Sequence, residues 1–527
     1  MRVEALEDEK KSFSISRMIK SPWFIAAILY TIHIILNFLG ASYLKFFYLF
    51  EVIIFILYAI RFRWDDLFFM TFIFFTIEGQ GRIIWHYHPL FRNIFDLYLI
   101  IIVTKNIVTT KSIFLPKEFP NIFKFLFVGH FLWYLIQFFN YQSVGPLGPL
   151  VATKIYIFPM LFFFMLVREK PRFDEDSLQL FSNKILFLIG AQAALVIFQM
   201  SQGEEFLFNI TQYYERPLKG AFYGPAFRPF GTSHVAGGMA LNMSYSIAFL
   251  FFGKKNSTIK TILITIVLIA CIFSGVIMQV RSALLIMLFI LFCCLFIKVY
   301  YSRVRTLIIP FILIVPIFFP LALSNLDIVQ KAFPNLNLTH SIQRLKDIDS
   351  INKMSQKRAS PAIMIGALKA KLKEAPFGLG PGRTGSANSL FINKIKNDPK
   401  YNMNWSWTFD NLFVALAIDL GYGMIFYTLI IILLPLYIFW NTILLAIKKV
   451  NILIPFVCSL NVLIILASNW GAIALPYNPV SFFFWVWLAF GVNQIEELKK
   501  VAYAKDHNFD YDLANSKTNH NSTVGTH

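Results

Sequence analysis

Four clusters of polar and ionisable residues sit at the edges of long apolar runs in this 527-residue chain. Charge is costly there and tends to be retained for function. The first cluster is Phe227-Arg-Pro-Phe-Gly-Thr-Ser-His-Val-Ala236, just ahead of an apolar run. A guanidinium at Arg228, beside the free N–H groups of a helix opened by Ser233 and His234, makes a phosphate clamp. The same residues also fit an interfacial arginine reaching lipid headgroups, with Ser233 a simple cap. The second is Arg281 in Ser274-Gly-Val-Ile-Met-Gln-Val-Arg-Ser-Ala283, in a very short connection between two apolar runs. It is either an anion contact or another snorkelling side chain.

The third cluster is the long interruption from Asn325 to Asn411. Between Asn325 and Thr408 it carries 13 Lys or Arg against 5 Asp or Glu, a cationic lobe suited to an anionic substrate at a membrane surface. It holds Arg344, the Lys357-Arg358 pair and the glycine turn Pro376-Phe-Gly-Leu-Gly-Pro-Gly-Arg383. Ser360-Pro361 predicts a helix start and Pro376 its end, with Ile365, Leu368 and Leu372 on one face and Lys369 and Lys373 on another. Such a helix rests on a membrane surface or helps hold a substrate. The fourth is Asp410-Asn411, followed by Asp419-Leu-Gly-Tyr-Gly423. Asp410 is either a helix N-terminal carboxylate or a base facing an acceptor hydroxyl. Trp405 and Trp407, just before it, suit stacking on sugar faces or an aromatic membrane belt.

The elements that must position these residues are membrane helices. The chain is 57% hydrophobic, 17% aromatic and only 15% charged, with mean hydropathy +0.61. Those values exclude an ordinary soluble domain. About fourteen spans are predicted, at 22–40, 43–61, 65–84, 93–110, 122–140, 151–167, 179–200, 233–252, 259–279, 282–300, 304–324, 410–445, 450–469 and 475–494. The run from Asp410 also reads as a short helix followed by a span broken near Gly421-Tyr-Gly423.

The predicted organisation is an all-α polytopic membrane protein. Residues 1–21 form a cytoplasmic segment without a cleavable signal, 22–324 hold about eleven spans, and 325–409 form one large external loop. Residues 410–494 hold about three spans, and 495–527 form a cytoplasmic tail, unstructured from Lys505. Lys and Arg concentrate in alternate connections, such as Arg61 and Arg63, Lys254 and Lys255, and Lys448 and Lys449. This places both termini in the cytoplasm. Gly, Pro, aromatic and ionisable residues gather on the opposite side, including Glu78-Gly-Gln-Gly-Arg82, His86 and His88. The net charge of +19 is therefore a topology signal, not a nucleic-acid one. Cys271, Cys293, Cys294 and Cys458 lie inside apolar runs with no metal-ligand spacing, so packing is their expected role and no metal is expected.

In this order, Arg228 to His234, Gln279 to Ala283, the external loop with Glu374 to Gly382, Asp410-Asn-Leu-Phe413 and Asp419 to Gly423 resemble the O-antigen ligase and polysaccharide polymerase superfamily. The resemblance covers roughly Lys154 to Leu434. It implies a GT-C-like bundle in a bacterial inner membrane, acting on its periplasmic side without a metal or other cofactor. Its substrate would be an undecaprenyl-diphosphate-linked saccharide drawn from membrane lipid, with flippase and chain-length regulator proteins as partners. It implies that Arg228, Arg281 and Arg358 engage the diphosphate. The remaining candidate substrate contacts are Arg344, His234, Arg383, Asn411, Trp405 and Trp407. Family ligases carry His-Asn where this chain has Asp410-Asn411, a departure that leaves Asp410 or a histidine such as His340 as the base and leans toward a polymerase of O-antigen or exopolysaccharide repeats. Transfer to lipid A-core or protein is the alternative enzyme reading, and a lipid-linked oligosaccharide flippase or transporter the alternative of another class. Charges clustered at one surface, rather than at the midplane of paired halves, favour the enzyme.

Overall fold

A computed structural model describes residues 21–40, 43–110, 115, 119–143, 145, 147–169, 175–206, 222–223, 226–252, 258–278, 280–301, 361–384, 411–448, 450–469, 475 and 480–521. The predicted span 304–324, Arg344, Arg358, His340, Trp405, Trp407 and Asp410 lie outside these residues.

Helices dominate. In chain order they are α1 (Pro22–Phe38), α2 (Leu44–Arg61), α3 (Trp64–Ile84), the short α4 (Pro89–Arg92), α5 (Ile94–Thr110), α6 (Asn121–Ile136) and α7 (Leu147–Tyr156). They continue as α8 (Phe158–Glu169), α9 (Glu175–Gln202), α10 (Ala236–Ser246), α11 (Thr258–Ile277), α12 (Arg281–Tyr301) and α13 (Pro361–Glu374). Last come α14 (Leu412–Leu420), α15 (Met424–Ile447), α16 (Leu453–Ser468) and α17 (Val480–Asn521). A two-residue antiparallel pairing of Phe222–Tyr223 with Ala226–Phe227 leads into Arg228.

Among the described residues six segments are long and apolar enough to cross a membrane, and four apolar helices are shorter. The protein is thus a helical membrane protein. Outward stripes such as Ile28, Ile32 and Ile35 on α1 and Ile262, Ile266 and Ile269 on α11 are exposed, as surfaces solvated by lipid require. The first half of α17 is apolar all round and buried from Val480 to Ile495, the pattern of a central helix. Around it aromatic rings interlock. Phe249 stacks on Trp487 at 4.0 Å and Phe75 on Phe482 at 4.4 Å.

Proline and glycine set the breaks. The predicted span 151–167 is two helices, because Pro159 supplies no N–H to continue the ladder. The Tyr156 carbonyl at that break accepts instead from His130 Nε2 at 3.2 Å, the repair that apolar surroundings demand. The run from Leu412 breaks at Gly421–Gly423. The stretch after Lys505, expected to be unstructured, continues the α17 helix to Asn521. No proline or glycine stands between Val492 and Asn521 to stop it.

Candidate functional site

The turn from Arg228 to Val235 is built from the bundle outward. Gln199 and Gln192 on α9 reach into it. Gln199 Oε1 accepts from Gly231 N at 2.8 Å and Phe230 N at 3.3 Å, and its Nε2 donates to Gly231 O at 3.0 Å. Gln192 Oε1 accepts from Thr232 N at 3.3 Å. From α3, Gln80 N donates to Thr232 O at 2.7 Å, while Thr232 Oγ1 donates to Thr76 O at 2.8 Å. A side chain on Gly79 would start 2.6 Å from His234 N, so glycine there lets α3 and the turn touch backbone to backbone. Satisfied buried polar networks fix a single geometry.

A second layer holds Gln80. His33 Nε2 meets Gln80 Oε1 at 2.8 Å, and His33 Nδ1 meets Glu51 Oε2 at 2.7 Å. Asn37 exchanges hydrogen bonds with the Gln80 amide. His33 and Glu51 are fully buried and come from α1 and α2, so three helices converge behind one turn. The sequence signal for this pair was an ionisable residue inside each of two apolar runs.

Arg228 points away from that support. Its Nε donates to Met278 O at 2.8 Å, at the end of α11 and three residues before Arg281 opens α12. The turn and the α11–α12 connection, far apart in sequence, are therefore adjacent. On the other side His234 is partly buried. Burial, then the positive charges of Arg82 and Arg92, push it down to about 3, so it is neutral at ordinary pH.

Arg82 and Arg92 belong to a cluster that sequence reasoning saw only in part. Arg82 Nε and Nη2 donate to the two oxygens of Glu78 at 2.5 and 2.8 Å, a bidentate pair one turn apart on α3. Lys154 of α7 donates to Asn93 Oδ1 at 2.7 Å and pairs with Asp96 of α5 at 3.7 Å. Lys154, Asp96, Arg82 and Arg92 lie within one another's electrostatic reach. Asp96 and Lys154 stand inside otherwise apolar runs, which is the signal that could have found them.

The glycine turn after α13 is packed differently. Gly378, Gly380 and Gly382 take φ of 79°, 89° and 100°. Leu379 N donates to Ile418 O at 2.7 Å, and Tyr422 N to Pro376 O at 2.8 Å. Gln137 Nε2 donates to Phe377 O at 3.0 Å, and Asn140 Nδ2 to Gly378 O at 3.1 Å. Asp419, fully buried, accepts from Tyr156 Oη at 2.8 Å, Thr384 N at 3.0 Å and Gly382 N at 3.4 Å. The turn thus wedges between α6, α7 and α14.

Two predicted substrate contacts have work inside the fold. Arg383 is 3% exposed; its Nε donates to Leu379 O at 3.0 Å and its Nη2 to Gln142 O at 2.7 Å. Asn411 caps α14, its Oδ1 accepting from Phe413 N at 3.0 Å and Val414 N at 3.1 Å. On α13, Ala367 and Lys371 are buried, Leu368 and Leu372 are half-buried, and Ile365 is 47% exposed. The face that packs inward is therefore rotated away from Ile365, and it includes Lys371, whose ammonium pairs with half-exposed Glu374 at 2.7 Å.

The structure brings together Arg228 and the start of α12 at Arg281, and sets His234 at the other end of the turn, against Gly79 of α3. Arg383 and Asn411 sit with the glycine turn and α14. Among the described residues no group of three His, Cys, Asp or Glu is placed to hold a metal ion. The chain matches no protein-family model, no curated protein and no solved structure.

Proposed function

We propose that this membrane protein is a polymerase of O-antigen or exopolysaccharide repeat units, working on the periplasmic side of a bacterial inner membrane. In this reading about fourteen spans carry one large periplasmic loop, residues 325–409. The acceptor hydroxyl attacks the anomeric carbon of an undecaprenyl-diphosphate-linked saccharide. The bond from that carbon to the diphosphate oxygen breaks, and the lipid diphosphate leaves. Arg228 and Arg281 neutralise the charge that builds on it, with Arg358 alongside. The hydroxyl proton passes to the Asp410 carboxylate. Arg344, His234, Trp405 and Trp407 complete the substrate contacts.

The observation that carries this reading is the Arg228 Nε to Met278 O bond of 2.8 Å. It sets the Arg228 turn against the connection that ends in Arg281, as a shared diphosphate needs. The test is transfer in detergent, with purified protein, a lipid-linked repeat unit and EDTA. A ladder of longer lipid-linked glycan is expected, lost in Arg281→Ala. Transfer only after lipid A-core or a protein acceptor is added would make the protein a ligase. Movement of lipid-linked sugar across proteoliposome membranes without any new glycosidic bond would sink the enzyme reading altogether.

A further inference from the structure

Arg82, Arg92 and Lys154 are three cations set among two carboxylates, Glu78 and Asp96, so the cluster keeps a formal surplus of one positive charge. The five come from α3, α4, α5 and α7 and converge where these helices end or begin. The carboxylates act as holders. Glu78 fixes the Arg82 fork through two of its N–H groups, and a guanidinium has five. Asp96 and Asn93 hold the Lys154 ammonium. Arg82, Arg92 and Lys154 all remain partly exposed.

Gly79 and Gln80, which lie between Glu78 and Arg82 on α3, touch the turn that leads into the first turn of α10. Its N-cap, Val235, offers no side-chain cap. A side chain on Gly237 would meet nothing within 4 Å, so there is open space at that turn. Helix N–H groups next to cations form a receptor for phosphate oxygens. His234, one residue before Val235, stands against Gly79 of α3; burial, then Arg82 and Arg92, keep it neutral, so it donates or accepts without adding charge.

This receptor is distinct from the contact made by Arg228. The turn has two ends, clamped in the middle by Gln192 and Gln199. Arg228 faces the end of α11, whereas His234 lies against Gly79 of α3.

We infer that Arg82, Arg92, Lys154 and the first turn of α10 form a second diphosphate subsite, which holds the lipid-linked acceptor while Arg228 and Arg281 hold the donor. This rests on the polymerase reading, because only polymerisation brings two lipid diphosphates to one protein. A ligase acceptor needs no such site.

Binding of radiolabelled farnesyl diphosphate, which carries no sugar and cannot turn over, counts the sites in the full-length protein in detergent. Two molecules per chain are expected in the wild type, and one in Arg92→Gln/Lys154→Gln. One per chain in the wild type, or two in the double variant, overturns the inference. Loss of both sites in a variant with unchanged melting means a single shared site and also overturns it. The retained site serves as the folding control, and Arg92→Glu, a single charge reversal, gives an independent variant with the same expected stoichiometry.

Elongation then adds a functional readout. The wild type should prefer an acceptor glycan carrying lipid diphosphate over the free glycan. That preference should fall at least about tenfold in the double variant, since each lost charge-assisted contact is worth about that much or more. An unchanged preference overturns the assignment. A wild type that binds two farnesyl diphosphates but never transfers sugar would instead defeat the transferase reading while leaving the two sites in place.

Discussion

Two turns made of the same residue types meet opposite fates in this molecule. Arg228 to His234 and Phe377 to Arg383 both combine glycine, proline, phenylalanine and arginine. In the second, Arg383 is buried and bonds two backbone carbonyls, while the glycines press against Ser143, Gly148 and Gly421. In the first, support comes from Gln192 and Gln199, and Arg228 and His234, at the turn's two ends, are only partly buried. Both arginines bond backbone carbonyls, but Arg383 is enclosed by the elements it braces, whereas Arg228 stays half-buried.

The contrast is sharpest at glycine. Gly421 has φ +56°, and a side chain there would start 2.1 Å from Pro376 O. Left-handed strain for a non-glycine residue costs about 1–3 kcal/mol, and overpacking adds about 1–3 kcal/mol more. Gly421→Ala should therefore destabilise by roughly 4 kcal/mol, read by unfolding in detergent. Gly237→Ala, made into open space at a helix start, should leave stability within about 1 kcal/mol of wild type. Equal effects of the two substitutions would erase the distinction between packed and open turns.

Next in size is Asp419→Ala. It strands the Tyr156 hydroxyl and the Thr384 and Gly382 N–H groups, all directed at one buried carboxylate. Unpaired buried donors should cost about 3 kcal/mol. Gln199→Leu does the matching damage to the first turn, leaving Phe230 N, Gly231 N and Gly231 O without this partner. About 2 kcal/mol is expected, together with weaker diphosphate binding, because the turn it frees carries both Arg228 and His234. A Gln199→Leu variant that loses stability but binds normally would show that the turn needs no such clamp.

Most of the helical layout was legible from residue pattern. Observed helix ends such as Pro22, Arg61, Ile84 and Thr110 fall within one or two residues of the predicted limits, because apolar length and flanking charge are local properties. So was the break at Gly421–Gly423. Side-chain roles were less so. Asn411, expected as a substrate contact, also caps its own helix, its oxygen on two N–H groups there. The Glu51–His33–Gln80 chain joins residues up to 47 apart, and no pattern in one helix announces a partner in another. Lys154 and Asp96 were visible as charges in apolar runs, but their meeting depends on how α5 and α7 pack.

At neutral pH the smallest effect of all separates the two regions by proton. His234 is held at about 3 against an ordinary 6.5, so between those values the unfolded chain takes up a proton that the folded protein refuses. Stability must then rise with pH across that window, be fully present above 6.5, and fall as pH drops below it. One proton sets the limiting slope at about 1.4 kcal/mol per pH unit. His234→Gln keeps a neutral polar side chain and removes the titration. The variant should match the wild type above pH 6.5 and become relatively more stable below it, in unfolding curves taken across the range. A parallel course for the two proteins would mean that His234 accepts its proton in the folded state. Neither burial nor the cations of Arg82 and Arg92 would then hold it neutral, and the cluster would have to be open to a degree that the packed glycine turn never is.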